Sequence, residues 1–522
     1  MAAHNLAVIL KNPQNDTEFL LTEQTPPAKF GEEEYDSYVD SDLWDLPSTQ
    51  LNSLEAESES GIVFEAVELC PPKINLKKFD FELALNRVLG HAGLGAGDAG
   101  EWRFWKYVEE PEFGPGLPLN TIFIMGKLVS ADQNLPEQCK WMSIWSCQTL
   151  LLDVKPNNSR IGLLVVVGLI SDSMQSTTWK VPSTLQYQEY PPGVVLVPLH
   201  SRTAKPFHTT NLIIFARENV SDECEGSGFV TCGDALIVDP GCHPQSSGEL
   251  KKIISALPRK LVVFVTHHHG DHVDGLSIIQ KCNPDATLLA HENTMRRIGK
   301  DDWSLGYTSV SGSEQICIGG QTLRVIFAPG HTDGHVGLLH VKTHSLIVGD
   351  HCVGQGSAVL DSTSGGNMSD YFQSTYRFME LSPHVLIPMH GRVNMWPKHM
   401  LCGYLKNRRS REASILKAIE NGAQTLFEIV ADVYSNVDRS FWIPAASNVR
   451  LHMDHLAQQD KLPKEFSILR FQRSSGLYFL SRWLCSYIWS RLSSRNQKSG
   501  TAKLFIAGAV AGCFAVTCRV LR

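Results

Sequence analysis

The sequence contains no C-x-x-C pair, although it has 13 cysteines among its 522 residues. The cysteines are scattered singly from Cys70 to Cys518, which excludes zinc ribbons built on paired cysteines and gives no sign of a disulfide framework. An odd number of isolated cysteines is typical of proteins from a reducing compartment. We therefore expect the cysteines to be free thiols.

The chain has no excess of basic charge either. It has 47 Lys and Arg residues against 54 Asp and Glu residues and a net charge of -7, so any contact with a nucleic acid must be local. Hydrophobic residues make up 43% and charged residues 19%, which are ordinary values for soluble globular proteins. This composition excludes wholesale disorder and a polytopic membrane protein. A length of 522 residues predicts about three domains.

Long apolar runs are absent except at the C-terminus. The N-terminal residues have neither the basic start and apolar run of a signal peptide nor the composition of a transit peptide. From Leu504 to Cys518 the chain is apolar and uncharged, with basic residues on both sides. At about 1.5 Å per residue this run is short for a hydrocarbon core of roughly 30 Å, unless flanking residues contribute. We predict a C-terminal membrane anchor over 503–521, and a buried terminal helix is the alternative.

Such an anchor would hold the protein on the cytosolic side of an organelle membrane. Mitochondria, plastids, peroxisomes and the endoplasmic reticulum all suit a short tail with basic flanks. Without the anchor we expect a soluble cytosolic protein. The preceding segment, 466–502, contains the aromatic run LYFLSRWLCSYIW and ends in a polar linker, so it is either a helix at a membrane interface or a packed surface helix.

Residues 1–190 are predicted to form a first domain. LAVIL and FLLTEQ are strands joined by a polar turn, and LWDLPS, the helical FELALNRVLGHAGL and the strand TIFIMGKL follow. This order resembles the Nudix fold, in which W-x-L-P precedes a helix carrying R-E-x-x-E-E-x-G. Asn86, Arg87, Gly90 and His91 stand in that helix here, so the acidic ligands for magnesium are missing. The resemblance implies a degenerate, non-catalytic Nudix-like domain.

Residues 195–400 have a different character, with short apolar runs that each end in Gly, Asp or His. These strands are NLIIFAR, ALIVDPG, KLVVFVTHHHGDH, LRVIFAPGH, SLIVGDH and VLIPMHG. HVDGLSIIQKC and SDYFQSTYRFMEL lie between them and have the apolar spacing of helices. The predicted fold class is therefore α/β (α+β).

Residues 401–465 are predicted to be helical. REASILKAIENG ends at Gly422, TLFEIVADVYSNV begins after Thr425 as its N-cap, and ASNVRLHMDHLAQQDKL forms a third helix. Three short helices in this order indicate a small winged-helix-like module.

The run from His267 to His272 carries the ligand pattern H-x-H-x-D-H directly after an apolar strand. Activation of water at neutral pH requires a strong Lewis acid, and two ions about 3.5–4 Å apart can share one hydroxide. In a turn, His267 and His269 can point to one ion while Asp271 and His272 point to another. This loop therefore predicts a site for two metal ions.

Three later strand ends supply further ligands, namely His331 in APGHTDGH, Asp350 in VGDH and His390 in PMHG. The ordered series resembles the metallo-β-lactamase superfamily, whose fold is an αββα sandwich with its site along one edge. The resemblance implies two Zn²⁺ ions, with Mn²⁺ or Fe²⁺ as alternatives. It assigns the first ion to His267, His269 and His331, the second to Asp271, His272 and His390, and the bridging position to Asp350.

The resemblance also assigns roles to residues that are not ligands. Asp239 in ALIVDPG matches an aspartate that supports the metal-binding loop by hydrogen bonding. His268 alternates away from its neighbours, so we expect it to face outward or to support the loop, and Gly270 to serve the turn. Four other histidines near the motifs are expected to be structural: His335, His340, His344 and His351.

Longer stretches narrow the resemblance to one branch. APGHTDGHVGLLHV, GDHCVGQGSAVL, PMHGRV and a helix with KNRRSRE together resemble the beta-lactamase-like protein 2 family over about residues 195–465. That resemblance implies a zinc-dependent endoribonuclease acting on single-stranded RNA, with Asp271 accepting the proton of the attacking water. Four basic residues could contact phosphates, or could simply form a solvated helix face: Lys406, Arg408, Arg409 and Arg411.

Three other functions are open. T-H-x-H-x-D-H and P-G-H-T-x-G-H are shared with glyoxalase II, so a thioester hydrolase is the alternative enzyme. A persulfide dioxygenase with one metal is disfavoured because Asp271, His272 and His390 are all present. A non-enzymatic alternative is a membrane-tethered binding or scaffold protein, which the intact ligand set argues against. Homodimer contacts are one role for the Nudix-like domain.

Overall fold

A computed structural model describes residues 2–58, 62–63, 74–95, 98–129, 135–155, 157–173, 179–216 and 228–495. The chain divides into two compact units. The first contains the described residues up to Ala328, together with Gly334–Gly356 and Arg377–Leu401. The second contains Pro329–Asp333, Ser357–Tyr376 and the described residues from Cys402 onward.

Nine strands form a mixed sheet in the N-terminal part of the first unit. They are β1 (Ala3–Lys11), β2 (Glu18–Glu23), β3 (Leu43–Asp45), β4 (Ser48–Gln50), β5 (Ile62–Val63), β6 (Trp102–Val108), β7 (Leu119–Lys127), β8 (Cys139–Ser143) and β9 (Arg160–Ile161). Their main order is β5-β6-β7-β1-β2-β3-β9, and β4 and β8 pair with β1 and β2. β1 is antiparallel to β2 and parallel to β7, so the predicted strand, turn and strand at the start are confirmed.

Short helices accompany this sheet. They are α1 (Phe81–His91), α2 (Ile144–Leu152), α3 (Leu163–Val165) and α4 (Ser171–Ser173), with a π-helical turn over Val166–Ile170. The carboxylate of Asp80 accepts a hydrogen bond from the amide of Leu83 and caps α1. The predicted helix is confirmed, and the mixed sheet is compatible with a Nudix-like domain, which stays a prediction.

The remaining strands form two sheets. They are β10 (Gln188–Glu189), β11 (Val195–His200), β12 (Thr209–Ala216), β13 (Phe229–Gly233), β14 (Ala235–Val238), β15 (Leu261–Phe264), β16 (Thr287–Ala290), β17 (Tyr307–Ser309), β18 (Gln315–Ile318), β19 (Gln321–Phe327), β20 (Val336–His340), β21 (Ser345–Ile347) and β22 (Val385–Ile387). One sheet has the order β10-β11-β12-β14-β15-β16-β17, and the other has the order β13-β18-β19-β20-β21-β22. Every predicted strand of 195–400 is present.

Helices cover these sheets. They are α5 (Ser247–Ala256), α6 (Gly270–Val273), α7 (Leu276–Cys282) and α8 (Glu292–Met295). A further helix, α9 (Met368–Glu380), begins in the second unit and ends in the first. Alternate residues of β15 face different partners: Phe264 packs in a cluster that includes Val325 of the second sheet, and Val263 packs with Ile253 of α5 and Leu276 of α7. This is the layering of sheet on sheet with helices outside that the sequence predicts.

One predicted helix is divided. HVDGLSIIQKC was expected to be continuous, but α6 ends before α7 begins at Leu276. The amide of Gly275 donates to the carbonyl of Pro240 over 2.9 Å, so it does not continue the hydrogen bonds of α6. A Cβ on Gly275 would lie 2.2 Å from that carbonyl oxygen, so only glycine permits this approach.

Five helices follow β22 within the described residues, which end at Arg495. They are α10 (Pro397–Glu420), α11 (Leu426–Val433), α12 (Trp442–Gln458), α13 (Ile468–Ser474) and α14 (Leu477–Arg495). Thr425 caps α11 in a reciprocal arrangement with Glu428, as the sequence predicts. Gly422, which follows α10, has a φ of 101°, a conformation that favours glycine. Phe479 of α14 packs against the other helices, which confirms a packed surface helix, whereas Leu477 and Trp489 are exposed.

Among the residues that the structure describes, the cysteines agree with the prediction except at one position. Eight are free thiols: Cys139, Cys147, Cys232, Cys242, Cys282, Cys352, Cys402 and Cys485. Cys317 is disulfide-bonded, so the expectation of free thiols is wrong there. Pairing depends on a Cα separation of roughly 4.4–6.8 Å in the fold, which isolated positions along a sequence do not reveal.

The predicted anchor, Leu504 to Cys518, lies outside the described residues. Within the part of the chain that is described, no helix combines the length and the apolar character that crossing a bilayer requires.

Candidate metal centre

The predicted ligands of the first unit follow the ends of neighbouring strands. Asp239 follows β14 and His267 follows β15, and these strands are parallel. Asp350 follows β21 and His390 follows β22, which are also parallel. Because the carboxyl ends of paired parallel strands lie side by side, each sheet brings its two residues to one edge.

Asp239 organises the loop after β15. It is fully buried and has a φ of 47°. Oδ1 accepts a hydrogen bond from the amide of Thr266 at 2.7 Å, and Oδ2 accepts one from the Thr266 hydroxyl at 2.6 Å. Oδ2 also lies 2.9 Å from Nδ1 of His272. Asp239 therefore fixes both ends of the His267–His272 loop, in the supporting role that the sequence predicts.

His272 is oriented by this contact. With Nδ1 on Asp239, the other nitrogen, Nε2, lies 3.5 Å from Oδ1 of Asp350 and 3.8 Å from Oδ1 of Asp271. Nε2 is buried and makes no hydrogen bond within the described residues. A buried imidazole nitrogen without a hydrogen bond, close to two carboxylates, suits a metal ligand.

His390 approaches the same carboxylates from the other sheet. Its Nδ1 donates to the carbonyl of Thr209 over 2.9 Å, which leaves Nε2 for a ligand. Nε2 lies 3.3 Å from Oδ2 of Asp271 and 3.4 Å from Oδ1 of Asp350. His272 and His390 therefore present the same nitrogen to the same two aspartates.

His267 and His269 form the neighbouring part of the site. Nδ1 of His267 lies 3.0 Å from the hydroxyl of Thr266, and Nε2 lies 3.0 Å from Nδ1 of His269. Nε2 of His267 is also 4.0 Å from Oδ2 of Asp350. Asp350 therefore lies close to three imidazoles, from His267, His272 and His390.

Two triads of the first unit bring their ligand atoms within 4.8 Å of one another, and both contain His272: Asp239 with His267 and His272, and Asp271 with His272 and His390. Imidazole nitrogens with carboxylate oxygens are ligands that suit Zn²⁺ and also Mn²⁺ or Fe²⁺. The residues of the first unit thus fit divalent metal ions.

His331 belongs to the second unit. Its Nδ1 lies 2.6 Å from the carbonyl oxygen of Val359, which fixes the ring and leaves Nε2 for another partner. The role of His331 as a metal ligand stays a prediction.

Other histidines near the motifs have structural contacts. Nδ1 of His335 donates to the carbonyl of Ala328, and Nε2 accepts the amide of Asp350 at 3.2 Å, so His335 holds the backbone of a predicted ligand. His340 contacts the hydroxyl of Thr343, and His344 contacts the carbonyl of Leu381. These contacts confirm the structural roles predicted for His335, His340 and His344. His268 is half-buried and His351 is buried.

The charges of the centre are strongly coupled. Burial alone would lower the pKa of His272, but the carboxylates of Asp350, Asp271 and Asp239 raise it well above its usual value. Burial likewise opposes protonation of His390, and Asp350 and Asp271 raise its pKa. Burial would raise the pKa of Asp271, yet His272 and His390 lower it to about 2. When no metal ion is bound, protons on His272 and His390 therefore compensate the negative charge of the carboxylates.

The sequence reasoning missed several buried residues around the centre. The side-chain amide of Asn211 donates to the carbonyls of Pro388 and Gly391, on either side of His390, at 2.8 Å each. The hydroxyl of Thr210 donates to the carbonyl of Asp271 at 2.8 Å. A signal for them existed, because polar Thr209, Thr210 and Asn211 enter an otherwise apolar strand and are all buried.

The β6–β7 loop of the N-terminal sheet holds the segment after His390. Arg392 donates to both carboxylate oxygens of Glu110, at 2.5 and 2.7 Å, and to the carbonyl of Leu117 at 2.8 Å. Phe207 lies with its ring centroid 5.6 Å from that of His390 and also packs against Gly114 of the same loop. The N-terminal domain therefore contacts the surroundings of a predicted ligand.

The four predicted phosphate-binding residues lie on α10, within the second unit. Arg408 is only 4% exposed, hydrogen-bonds the carbonyl of Ala358 and lies over the ring of Tyr371. It is therefore a structural residue with no free face for a phosphate. Arg409 is exposed, and Lys406 and Arg411 are half-buried, so phosphate contact stays a prediction for these three.

Comparisons with known proteins agree with this arrangement. Residues 227–390 match the metallo-beta-lactamase superfamily, and residues 425–466 match the beta-lactamase associated winged helix domain. The first match includes every predicted metal ligand. The chain therefore contains a metallo-beta-lactamase domain followed by a winged helix domain, and the first of these holds a His and Asp cluster suited to divalent metal ions.

The relatives are named for the same domain. The chain is 27% identical over 243 residues to a beta-lactamase-like protein 2 homolog of Drosophila melanogaster, which covers 44% of this chain and 80% of the relative. It is 26% identical over 197 residues to the homolog of Caenorhabditis elegans, which covers 38% of this chain and 64% of the relative. The chain thus spans less than two thirds of the second relative. These matches support the predicted branch of the superfamily.

The chain also aligns with solved structures. A beta-lactamase domain protein from Burkholderia ambifaria is 19% identical, with a TM-score of 0.47, and the match covers 56% of this chain and 94% of that protein.

Proposed function

We propose that this chain is a two-zinc hydrolase that cleaves phosphodiester bonds in single-stranded RNA. The observation that carries the proposal is the set of ligands that share the carboxylate of Asp350: Oδ2 lies 4.0 Å from Nε2 of His267, and Oδ1 lies 3.5 Å from Nε2 of His272 and 3.4 Å from Nε2 of His390. A single ion would lie on one side of this carboxylate only. Imidazoles next to both of its oxygens therefore indicate two ions. Mn²⁺ and Fe²⁺ are the alternative ions.

We assign the ligands by strand end. His267, His269 and His331 would hold the first ion, Asp271, His272 and His390 would hold the second, and Asp350 would be shared by both. Bound ions would supply a water of lowered pKa and positive charge for the oxygen on which negative charge develops.

The chain's own residues contribute orientation and proton transfer. Asp239 and the carbonyl of Thr209 each occupy Nδ1 of an imidazole, so His272 and His390 are held with Nε2 toward the two aspartates. We assign Asp271 as the acceptor of the proton that the attacking water loses.

Two features favour RNA over a thioester. The winged helix domain occupies the place after the metal domain where glyoxalase II has a helical glutathione-binding domain. Lys406 and Arg409 also have exposed surface on α10, and basic side chains there suit phosphates.

The substrate class is tested with the purified chain, single-stranded RNA and S-lactoylglutathione, each with added zinc or manganese. We expect RNA cleavage that a chelator abolishes. Thioester turnover without RNA cleavage would favour glyoxalase-like chemistry, and activity with neither substrate would favour the binding or scaffold protein. Wild-type rates in an Asp271→Ala, His272→Ala double variant would show that the site is wrong.

We further propose that Leu504–Cys518 tethers the protein to the cytosolic side of an organelle membrane. Its uncharged composition and basic flanks support this. Alkaline carbonate should extract a chain ending at residue 502 from membranes but not the full chain. Equal extraction of both would leave a soluble cytosolic protein. Sedimentation of the shorter chain tests whether it forms a homodimer.

A further inference from the structure

A half-open cavity of about 410 Å³ lies in the N-terminal part of the first unit. Strands β6 and β7 form one side, and residues 163–171 and β10 form the rest. None of the predicted metal ligands lines it. Its volume falls in the range of roughly 300–1,000 Å³ that is typical of small-molecule sites.

Most of the wall is apolar. Phe123 is buried at the floor, and Leu163, Leu164 and Val167 are half-buried along one side. Tyr187, on the rim, is 44% exposed. Apolar area left open in this way gains roughly 25 cal/mol per Å² when a ligand covers it. The wall therefore suits an aromatic or branched aliphatic group.

The polar end of the cavity offers acceptors. The side-chain oxygen of Gln188 is buried and makes no hydrogen bond within the described residues. Oε1 of Glu189 accepts the amide of Gly193 at 2.8 Å, and burial raises the pKa of this carboxyl group. An ammonium group at this position would donate hydrogen bonds to the oxygens of Gln188 and Glu189. It would also place a positive charge beside the Glu189 carboxylate.

Two other charged side chains of the wall have contacts of their own. Glu110 is paired with Arg392. The ammonium of Lys106 lies 6.0 Å from the centroid of the Phe123 ring, so the Phe123 side of the cavity already faces a cation. Aromatic rings of Tyr107 and Tyr187 also line the cavity, and such rings attract organic cations. The chemistry left for a ligand is therefore an acceptor pair beside aromatic and aliphatic surface.

We propose that this cavity is a binding site for a small organic amine, with its apolar body against Leu164 and Val167 and its protonated nitrogen on Glu189 and Gln188. This site is independent of the metal centre and of the hydrolase proposal.

The test is calorimetric titration of the full chain with 2-phenylethylamine, 3-phenylpropionate and 2-phenylethanol, which differ in charge on a similar body. We expect the amine to bind at least ten-fold more tightly than the acid or the alcohol. Glu189→Gln should weaken amine binding about ten-fold, which is roughly 1.4 kcal/mol. Glu137→Gln, an exposed acid of the same sheet region outside the cavity, should leave it unchanged.

A second variant guards against misfolding of the first. Val167→Trp fills the cavity while keeping every charge, so it should abolish amine binding without changing zinc content. The proposal is overturned if the three probes bind equally, if Glu189→Gln binds the amine as the wild type does, or if no amine binding is detected up to about 10 mM, which corresponds to less than about 3 kcal/mol.

Discussion

Asp239 is the single residue on which the geometry of the metal centre depends most directly. One carboxylate oxygen accepts both the Thr266 hydroxyl and Nδ1 of His272. In Asp239→Asn, an NH2 group replaces one of the two carboxylate oxygens. That group would face either the Thr266 hydroxyl and His272 or the Thr266 amide, and the hydrogen bonds accepted at that position would be lost. We expect zinc affinity to fall about 10- to 100-fold, since partners of metal-bound histidines typically have effects of that size.

Chelator competition on the purified variant measures this change, with circular dichroism to establish that the fold persists. Asp285→Asn is the matched control, because Asp285 is exposed in the turn after α7 and touches none of the ligands. Unchanged zinc affinity in Asp239→Asn would refute the supporting role.

The residues that meet in the candidate metal centre could be predicted from the sequence, and the residues that support them mostly could not. His267, Asp350 and His390 each follow a short apolar run, so the pattern of strand and ligand is local. Asn211 supports His390 across 177 and 180 positions of sequence, and that contact depends on how β12 and β22 meet. The burial of Arg408 likewise depends on tertiary packing, because a basic run on a helix carries no sign of which face is covered.

At the level of elements, the β6–β7 loop should influence the metal centre through Arg392. Glu110→Gln would remove the charge from a two-point hydrogen-bonded pair two residues beyond His390. Arg392 is partly exposed, so we expect a modest effect, about 1 kcal/mol or a five-fold weaker zinc affinity. Glu112→Gln, an exposed acid of the same loop, is the control.

Metal titration followed by competition with a chelator distinguishes the two variants. If Glu110→Gln and Glu112→Gln bind zinc equally well, the loop only covers the domain and does not position His390.

The junction of β9 with β22 should make the fold sensitive to acid. Burial first, and then the charge of Arg160, lower the pKa of His384 to about 4. The unfolded chain, with a histidine pKa near 6.5, therefore binds more protons than the folded chain between about pH 6.5 and 4. Stability contributed by neutral His384 is present above pH 6.5 and is lost as the pH falls toward 4, by about 2 kcal/mol.

Urea unfolding of the metal-free protein from pH 7 to pH 4 measures this loss. His384→Gln cannot take up the proton, so its stability should fall less steeply with pH than that of the wild type. Parallel pH profiles for the two proteins would exclude His384 as the cause.

The existence of elements was predictable from apolar periodicity, whereas their pairing was not. Every strand of 195–400 that ends in a ligand motif was identified, because burial on both faces leaves a continuous apolar run. The break between α6 and α7 depends on Gly275 meeting Pro240, and β13 joins a different sheet from β12 and β14. Neither fact has a local signature.

For the whole first unit, the N-terminal sheet and the metallo-beta-lactamase sheets share one hydrophobic cluster. Ile9 and Phe123 belong to the same cluster of buried side chains as Phe264 and Met389. Arg160 adds polar contacts from β9, since its guanidinium hydrogen-bonds the carbonyls of Ser41 and His384. Two domains that share a core in this way should not be stable apart.

We therefore expect a fragment of residues 191–495 to be much less stable than residues 1–495. Removal of the N-terminal sheet would expose several large apolar side chains, each of which contributes roughly 1.5–3 kcal/mol when buried. The fragment should aggregate, or melt more than about 10 °C below the longer chain, and should lose zinc at the lower temperature. Scanning calorimetry with zinc analysis measures both. A fragment that melts within about 2 °C of the longer chain and retains its zinc would show that the metal domain folds alone. The N-terminal domain would then contribute little to its stability.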